Sequence, residues 1–210
     1  MFSPREGLKS LPRSQTNMLK EEEFDVWCKR LELIARARAE IEHIRCSPPA
    51  RRVQSRVGNV TGHFNRSRKM GFSIQSESRT VEKPAIIIME LCDDDVLEYW
   101  DQPPAFVINY KSKSGRNFGH TYTADFFVLR RHSAGWEEWK SQEELIELAK
   151  NSEKYCVGAD RKWHCPPAER YAQQFGLYHH THSSAEISWV LIRNINLLMP
   201  YYVLYGYSPE

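Results

Sequence analysis

The chain has 210 residues, with 29 Lys and Arg against 27 Asp and Glu and 41% hydrophobic residues, enough apolar material for a packed core and too much for wholesale disorder. The near-balance of charge names no partner, and no apolar run approaches the roughly 18–20 residues that span a bilayer. The opening MFSPREGLKS has no apolar stretch of the export-signal kind and the five cysteines are scattered, so the expectation is a cytoplasmic protein with free thiols and no membrane partner.

Phe24, Trp27, Leu31, Ile34, Ala37, Ile41 and Ile44 recur at spacings of three and four, which predicts one amphipathic helix over 20–45. Residues 44–76 hold seven basic side chains and no acid among Ser, Gly, Asn and Pro; this reads as irregular basic chain. Such a segment is either a solvated loop or an arm for a phosphate backbone. Arg51, Arg52, Arg56, Arg66, Arg68 and Lys69 are its candidate DNA contacts. From Glu77 to Asp101 the sign reverses, with eight acids, and either some of them hold a cation or they cap and solubilise helix ends, as DDD at 93–95 suggests.

A helix is expected to start near Glu82, because Pro84 is tolerated only in a first turn, and a short extended piece follows it. AFVINY (105–110) predicts a strand and KSKSGRNFG a loop. HTYTADFFVLRR (120–131) reads as a second strand, HSAG as a tight connection and WEEWK (136–140) as a third strand. Helices are expected over 143–150 and 166–176, the latter closed by Gly176. LYHHTH (177–182) reads as a strand, and Ser183 with Glu186 forms a capping box before SAEISWVLIRNINLLM. The order fits an α/β domain with a mixed central sheet of three to five strands flanked by helices.

Alternation along WEEWK puts Trp136, Glu138 and Lys140 on one face and Glu137 and Trp139 on the other. A carboxylate and an ammonium on the face of a large aromatic suit either an exposed salt bridge or a site. With Asp125 on the neighbouring strand and Glu82 offered by the preceding helix, the set is that of a hydrolytic nuclease. Carboxylates hold Mg²⁺ (or Mn²⁺), and a lysine orients or helps deprotonate the attacking water, or stabilises transition-state charge.

Glu82, YWDQPP (99–104), TADF (123–126) and WEEWK in this order resemble the restriction-endonuclease-like D…(E/Q)xK nucleases, and more narrowly the TnsA-type endonuclease subunit of heteromeric, Tn7-like transposases. The likeness extends over about residues 60–205, with Ala124 standing where the family has Pro. It implies Asp125, Glu138 and Glu82 as metal ligands with Lys140 beside them as the catalytic set, Glu77 being the alternative helix carboxylate. It also implies a Mg²⁺-dependent DNA endonuclease that cuts the 5′ ends of a transposon, the non-transferred strand. The 3′ ends fall to a DDE-type, TnsB-like transposase, separate or fused C-terminally, and an AAA+ ATPase of the TnsC-like kind regulates the assembly. The corresponding division is a helical extension (1–45) outside the catalytic core, a basic arm (46–76) and a catalytic domain (77–210). A stand-alone restriction or repair nuclease and a non-catalytic DNA-binding module are the competing functions.

Cys156, His164, Cys165, His179, His180 and His182 could suggest zinc, but their spacing is not that of a finger or ribbon. His180 and His182 read as a polar strand face. Trp136, Trp139, Trp163 and Trp189 read as core or interface aromatics.

Overall fold

The computed structural model describes residues 18–51, 61–62, 68–70, 77–78, 81–112 and 114–205. Its first helices are α1 (Glu21–Arg30) and α2 (Ala35–Cys46). Glu21, Glu22 and Glu23 in the first turn of α1 and Lys29 and Arg30 in its last complement the helix dipole. The helix stops at Leu31, and Glu32 takes a φ of 51°. The single helix expected over 20–45 is therefore two. A straight helix of that length would run about 37 Å and carry one end away from the core. The break instead folds Phe24 and Trp27 of α1 and Ala37, Ile41 and Ile44 of α2 into one cluster.

Strands β1 (Thr61–Gly62) and β2 (Glu77–Ser78) pair antiparallel. Helix α3 (Glu82–Ile87) follows, with Pro84 in its first turn as expected, and loosens into a π turn, Ile88–Cys92. Next come β3 (Val96–Asp101), β4 (Phe106–Lys111), β5 (Asn117–Tyr122), β6 (Phe126–Arg130) and β7 (Ala134–Lys140). The run expected as one strand over 120–131 is split at Thr123–Asp125. Its first part pairs with β4 in a separate hairpin, and its second enters the main sheet. Beyond lie α4 (Gln142–Asn151), the short pair β8 (Cys156–Val157) and β9 (Trp163–His164), α5 (Pro166–Gln173), β10 (Tyr178–Ser183) and α6 (Trp189–Tyr205). The Ser183–Glu186 capping box forms, but it closes a 3₁₀ turn, Ser184–Glu186, ahead of α6.

The main sheet runs β10-β7-β6-β3, with β10 parallel to β7 and the other pairs antiparallel. Gly135 is required where β10 crosses: a Cβ there would sit 2.1 Å from the Tyr178 carbonyl oxygen. Alternation divides the sheet between two cores. Trp100, Phe127, Leu129 and Trp136 face α1, α2, α5 and the β4–β5 hairpin, whereas Tyr99, Phe126, Val128 and Trp139 face α3 and α6. This is the expected α/β architecture, a mixed sheet flanked by helices, consistent with a restriction-endonuclease-like fold.

One expectation is corrected by this packing: α1 and α2 do not lie outside the core. They share the Trp100–Trp136 cluster, and Arg45 of α2 reaches the fully buried Glu98 of β3, Nε to Oε2 at 3.2 Å. The Leu19 backbone N–H donates to the same carboxylate. None of the five cysteines is in a disulfide, and no helix among the described residues is long and apolar enough to cross a membrane.

Candidate active site

Where β6 begins and β7 ends, three of the residues singled out in the sequence converge. Lys140 Nζ lies 2.9 Å from Glu138 Oε1, and Asp125, just before β6, accepts the Trp139 backbone N–H on Oδ2 at 2.7 Å. Both carboxylates are buried, at 4% exposure each. Glu82, the first residue of α3, is near enough for its charge to act on Asp125 and on Asp101. Glu77, the other acid weighed for that role, is in β2.

The electrostatics follow from this crowding. Burial, then the charges of Glu138 and Glu82, hold the Asp125 carboxyl well above the usual range. Burial pushes Glu138 the same way, but the adjacent Lys140 ammonium and the Tyr122 hydroxyl outweigh it, and Glu138 is held low. Burial works against the Lys140 charge, yet Glu138, Asp125 and Glu144 raise its pKa, so at neutral pH this lysine is an ammonium and a donor, not a base. The sequence alone leaves both roles open. Asp101, at the end of β3, is pushed up to about 7 by burial and by Glu82. Without a cation, the site carries more negative charge than its surroundings compensate. A hard divalent ion relieves that condition, and the all-oxygen donor set suits Mg²⁺ or Mn²⁺.

Several residues of the site carry no signal in the sequence. Tyr122, at the end of β5, donates its hydroxyl to Glu138 Oε2 at 2.8 Å and lies 2.8 Å from His179 Nε2. Burial lowers His179 to about 4, so its ring is neutral and its Nε2–H is free to donate to the tyrosine oxygen. Tyr155 adds a longer bond, 3.4 Å, to Glu138 Oε1. Gln102 takes a φ of 47°, a left-handed conformation that costs a non-glycine residue of order 1–3 kcal/mol. It is held there because its N–H donates to the Asp125 carbonyl and its own carbonyl accepts from Ala50, both at 2.8 Å. The DQPP element is visible in the sequence; its strained backbone is not.

The basic candidates separate. Arg51 donates from Nε to Gln102 Oε1 and brings Nη2 to 3.9 Å from Asp125 Oδ1 while remaining 58% exposed. It therefore stands at the carboxylates as well as in the basic arm. Lys69, offered to a phosphate by the sequence, turns its Nζ to the carbonyl oxygens of Met89 and Asp93 at 3.0 and 2.8 Å, closing the π turn. Arg68 is exposed. Arg52, Arg56 and Arg66 lie outside the described residues. Of the DDD run, which follows the C-terminal end of the π turn, Asp93 pairs with Arg130 of β6 at 2.6 Å and Asp95 at 3.5 Å; these side chains tie that turn to the sheet and do not cap a helix.

No curated protein matches the chain. Residues 93–184 match the family model described as TnsA-like endonuclease N terminal, a span that encloses Asp125, Glu138 and Lys140 and begins after Glu82. This stretch, from the turn before β3 through the 3₁₀ turn, is similar to the TnsA-like endonuclease N-terminal domain, which supports a TnsA-type subunit.

Proposed function

We propose that this nuclease of a transposition system is metal-dependent and hydrolyses the phosphodiester at the 5′ ends of a transposon, on the non-transferred strand. In this reading a TnsB-like DDE transposase processes the 3′ ends, and a TnsC-like AAA+ ATPase regulates the assembly. The observation that carries the metal dependence is the buried Asp125–Glu138 pair with the Lys140 ammonium 2.9 Å from Glu138.

Asp125 and Glu138, with Glu82 completing the set, are the ligands for Mg²⁺. When bound, the ion acidifies the attacking water and offsets charge on the phosphoryl oxygens. The rest is done by the chain. Lys140, protonated, hydrogen-bonds the incoming oxygen nucleophile or the developing negative charge. Glu138 stays ionised because Lys140 and Tyr122 both favour its charged form. Arg51, more than half exposed yet tethered to Gln102, exchanges its weak contact with Asp125 for a phosphate oxygen. The exposed Arg68 contacts a further phosphate, and Arg52, Arg56 and Arg66 of the same basic segment of sequence add to the charge that binds the duplex.

Asp125→Ala tests the reading. With transposon-end DNA, the transposase and Mg²⁺ present, 5′-end cleavage should disappear while DNA association is retained. Persistent nicking would overturn the site assignment. Cutting of plain duplex by the purified wild-type protein alone would move the function to a stand-alone nuclease.

A further inference from the structure

The opposite face of β7 carries a second constellation that the nuclease chemistry does not use. Glu137, fully buried, points into the α3–α6 side of the sheet, where β10 delivers His180, opposite it in register, and His182 two residues on. One carboxylate oxygen of Glu137 and one ring nitrogen from each histidine lie within 4.8 Å of one another.

The hydrogen bonding sorts the atoms. Glu137 Oε1 is saturated: Arg130 donates to it from Nε at 3.2 Å and Nη2 at 2.9 Å, and the Tyr178 hydroxyl at 2.9 Å. The Arg130 charge is at the same time shared with Asp93 and Asp95. Glu137 Oε2 and His182 Nε2 are both buried without a hydrogen-bond partner, and they face each other at 3.5 Å. His182 Nδ1 lies 3.2 Å from Glu186 Oε2, a carboxylate fixed in turn by the Ser183 N–H at 2.8 Å. The Trp139 ring stacks on His182 at 4.3 Å.

A carboxylate on one imidazole nitrogen, leaving the other nitrogen's lone pair directed at a further ligand, is how proteins set the tautomer of a metal-bound histidine. Around a tetrahedral ion with bonds of about 2.0–2.2 Å, neighbouring ligand atoms stand roughly 3.4 Å apart, close to the separation of the two unpartnered atoms. His180 is exposed, stacked on the Tyr178 ring and edge-on to the His182 ring at 6.0 Å, so rotation of its side chain can bring its nitrogen to that separation.

We propose that Glu137, His180 and His182 form a binding site for a zinc-class divalent transition ion, separate from the Asp125–Glu138 centre, with its fourth position open to solvent beside His180. The strand face that the sequence presented as merely polar is then a clip joining β10 to β7, directly behind Glu138. Two imidazoles and one carboxylate select Zn²⁺ or Co²⁺ over Mg²⁺, so the two faces of one strand take different metals. The competing occupant is a proton on His182 Nε2, which would make the cluster an ion pair between Glu137 and Glu186.

The test uses untagged full-length protein carrying Asp125→Ala, which weakens the nuclease centre for metal, titrated with Co²⁺ and separately with Zn²⁺. One equivalent should bind, and Co²⁺ should give the intense visible absorption of a tetrahedral site. Adding His180→Ala, at an exposed position that leaves the fold intact, should abolish stoichiometric binding, and Glu186→Gln should weaken it about 10–100-fold. The proposal is overturned if the Asp125→Ala protein binds no Co²⁺ or Zn²⁺, or if binding is unchanged by His180→Ala. Loss of cleavage in Asp125→Ala bears only on the nuclease centre, so the two readings fail separately.

Discussion

Tyr122→Phe removes a single hydroxyl from behind the candidate site. The ring and its edge contact with Phe106, centroids 5.2 Å apart, remain. Two hydrogen bonds of 2.8 Å are lost, one to the ionised Glu138 and one linking to His179. A bond to a charged acceptor contributes about 1.5–3 kcal/mol, and the stranded His179 N–H adds about 1 kcal/mol, because the surroundings are too buried for water to substitute. The expected loss is about 2–4 kcal/mol, and in a chain of this size that lowers the Tm by roughly 5–15 °C. Thermal unfolding in EDTA measures it. A second readout separates positioning from mere destabilisation. The hydroxyl favours the charged form of Glu138, so its removal raises that pKa, and the acid limb of the Mg²⁺-dependent cleavage profile should move to higher pH. A loss of folded protein would scale the profile down without moving it. A Tm within a degree of the parent, with the acid limb in place, would refute the role of the Tyr122 hydroxyl in holding Glu138 ionised.

Arg51→Ala should leave the Tm nearly unchanged, since the side chain is largely exposed. It should reduce the slope of log K for DNA against log salt by about one, with cleavage falling further than binding; an unaltered slope would remove Arg51 from the DNA path. Asp101→Asn tests the crowding of carboxylates. With the folded-state pKa raised from 3.8 to about 7, the folded protein keeps a proton that the unfolded chain releases, so metal-free stability falls as pH rises from about 4 to 7. The amide should flatten that slope and stabilise the metal-free protein at pH 8 by up to about 4 kcal/mol, with little effect at pH 4; equal stability at pH 8 would contradict it. Arg45→Ala leaves Glu98 buried without its cation and should cost about 3–5 kcal/mol by urea unfolding. A negligible loss would mean that α2 is not integral to the fold.

How much of the molecule is legible in the chain depends on whether the signal is local. The period of two in WEEWK puts Glu138 and Lys140 on the face opposite Glu137 and Trp139, and the structure has them so, because alternation is a property of the strand itself. The N-terminal stripe is legible as apolar but not as two helices: the break at Glu32 serves packing against Trp100 and Trp136, far away in sequence. The same holds for the split at Thr123–Asp125. There a continuous β-favouring run is divided so that Tyr122 goes to the hairpin and Phe126 to the main sheet. Tyr122 and His179 are unreadable as partners of Glu138, because one arrives by that split and the other by a parallel pairing of β10 with β7. The histidines of β10 are visible from spacing along one strand, whereas their third companion, Glu137, lies on another.

The cost of the site explains the character of the core behind it. Burial and the neighbouring carboxylates hold the Asp125 carboxyl well above its usual range, Gln102 is strained, and Gln102 Nε2 is buried without a hydrogen-bond partner. None of these stabilises the fold, and each persists only if its surroundings leave no relaxed alternative. The face beneath Glu138 supplies that constraint. Phe106 stacks on Tyr171 at 3.8 Å, and Trp136 meets Phe106, Phe127 and Tyr171 edge-on at 5.0–5.5 Å, an interlocked aromatic layer whose rings cannot shift singly. Tyr122 belongs to this layer through Phe106 and to the site through Glu138. The carboxylate is thus aimed by hydrophobic packing in the metal-free chain, and the proposed nuclease centre is preorganised before any ion or DNA arrives.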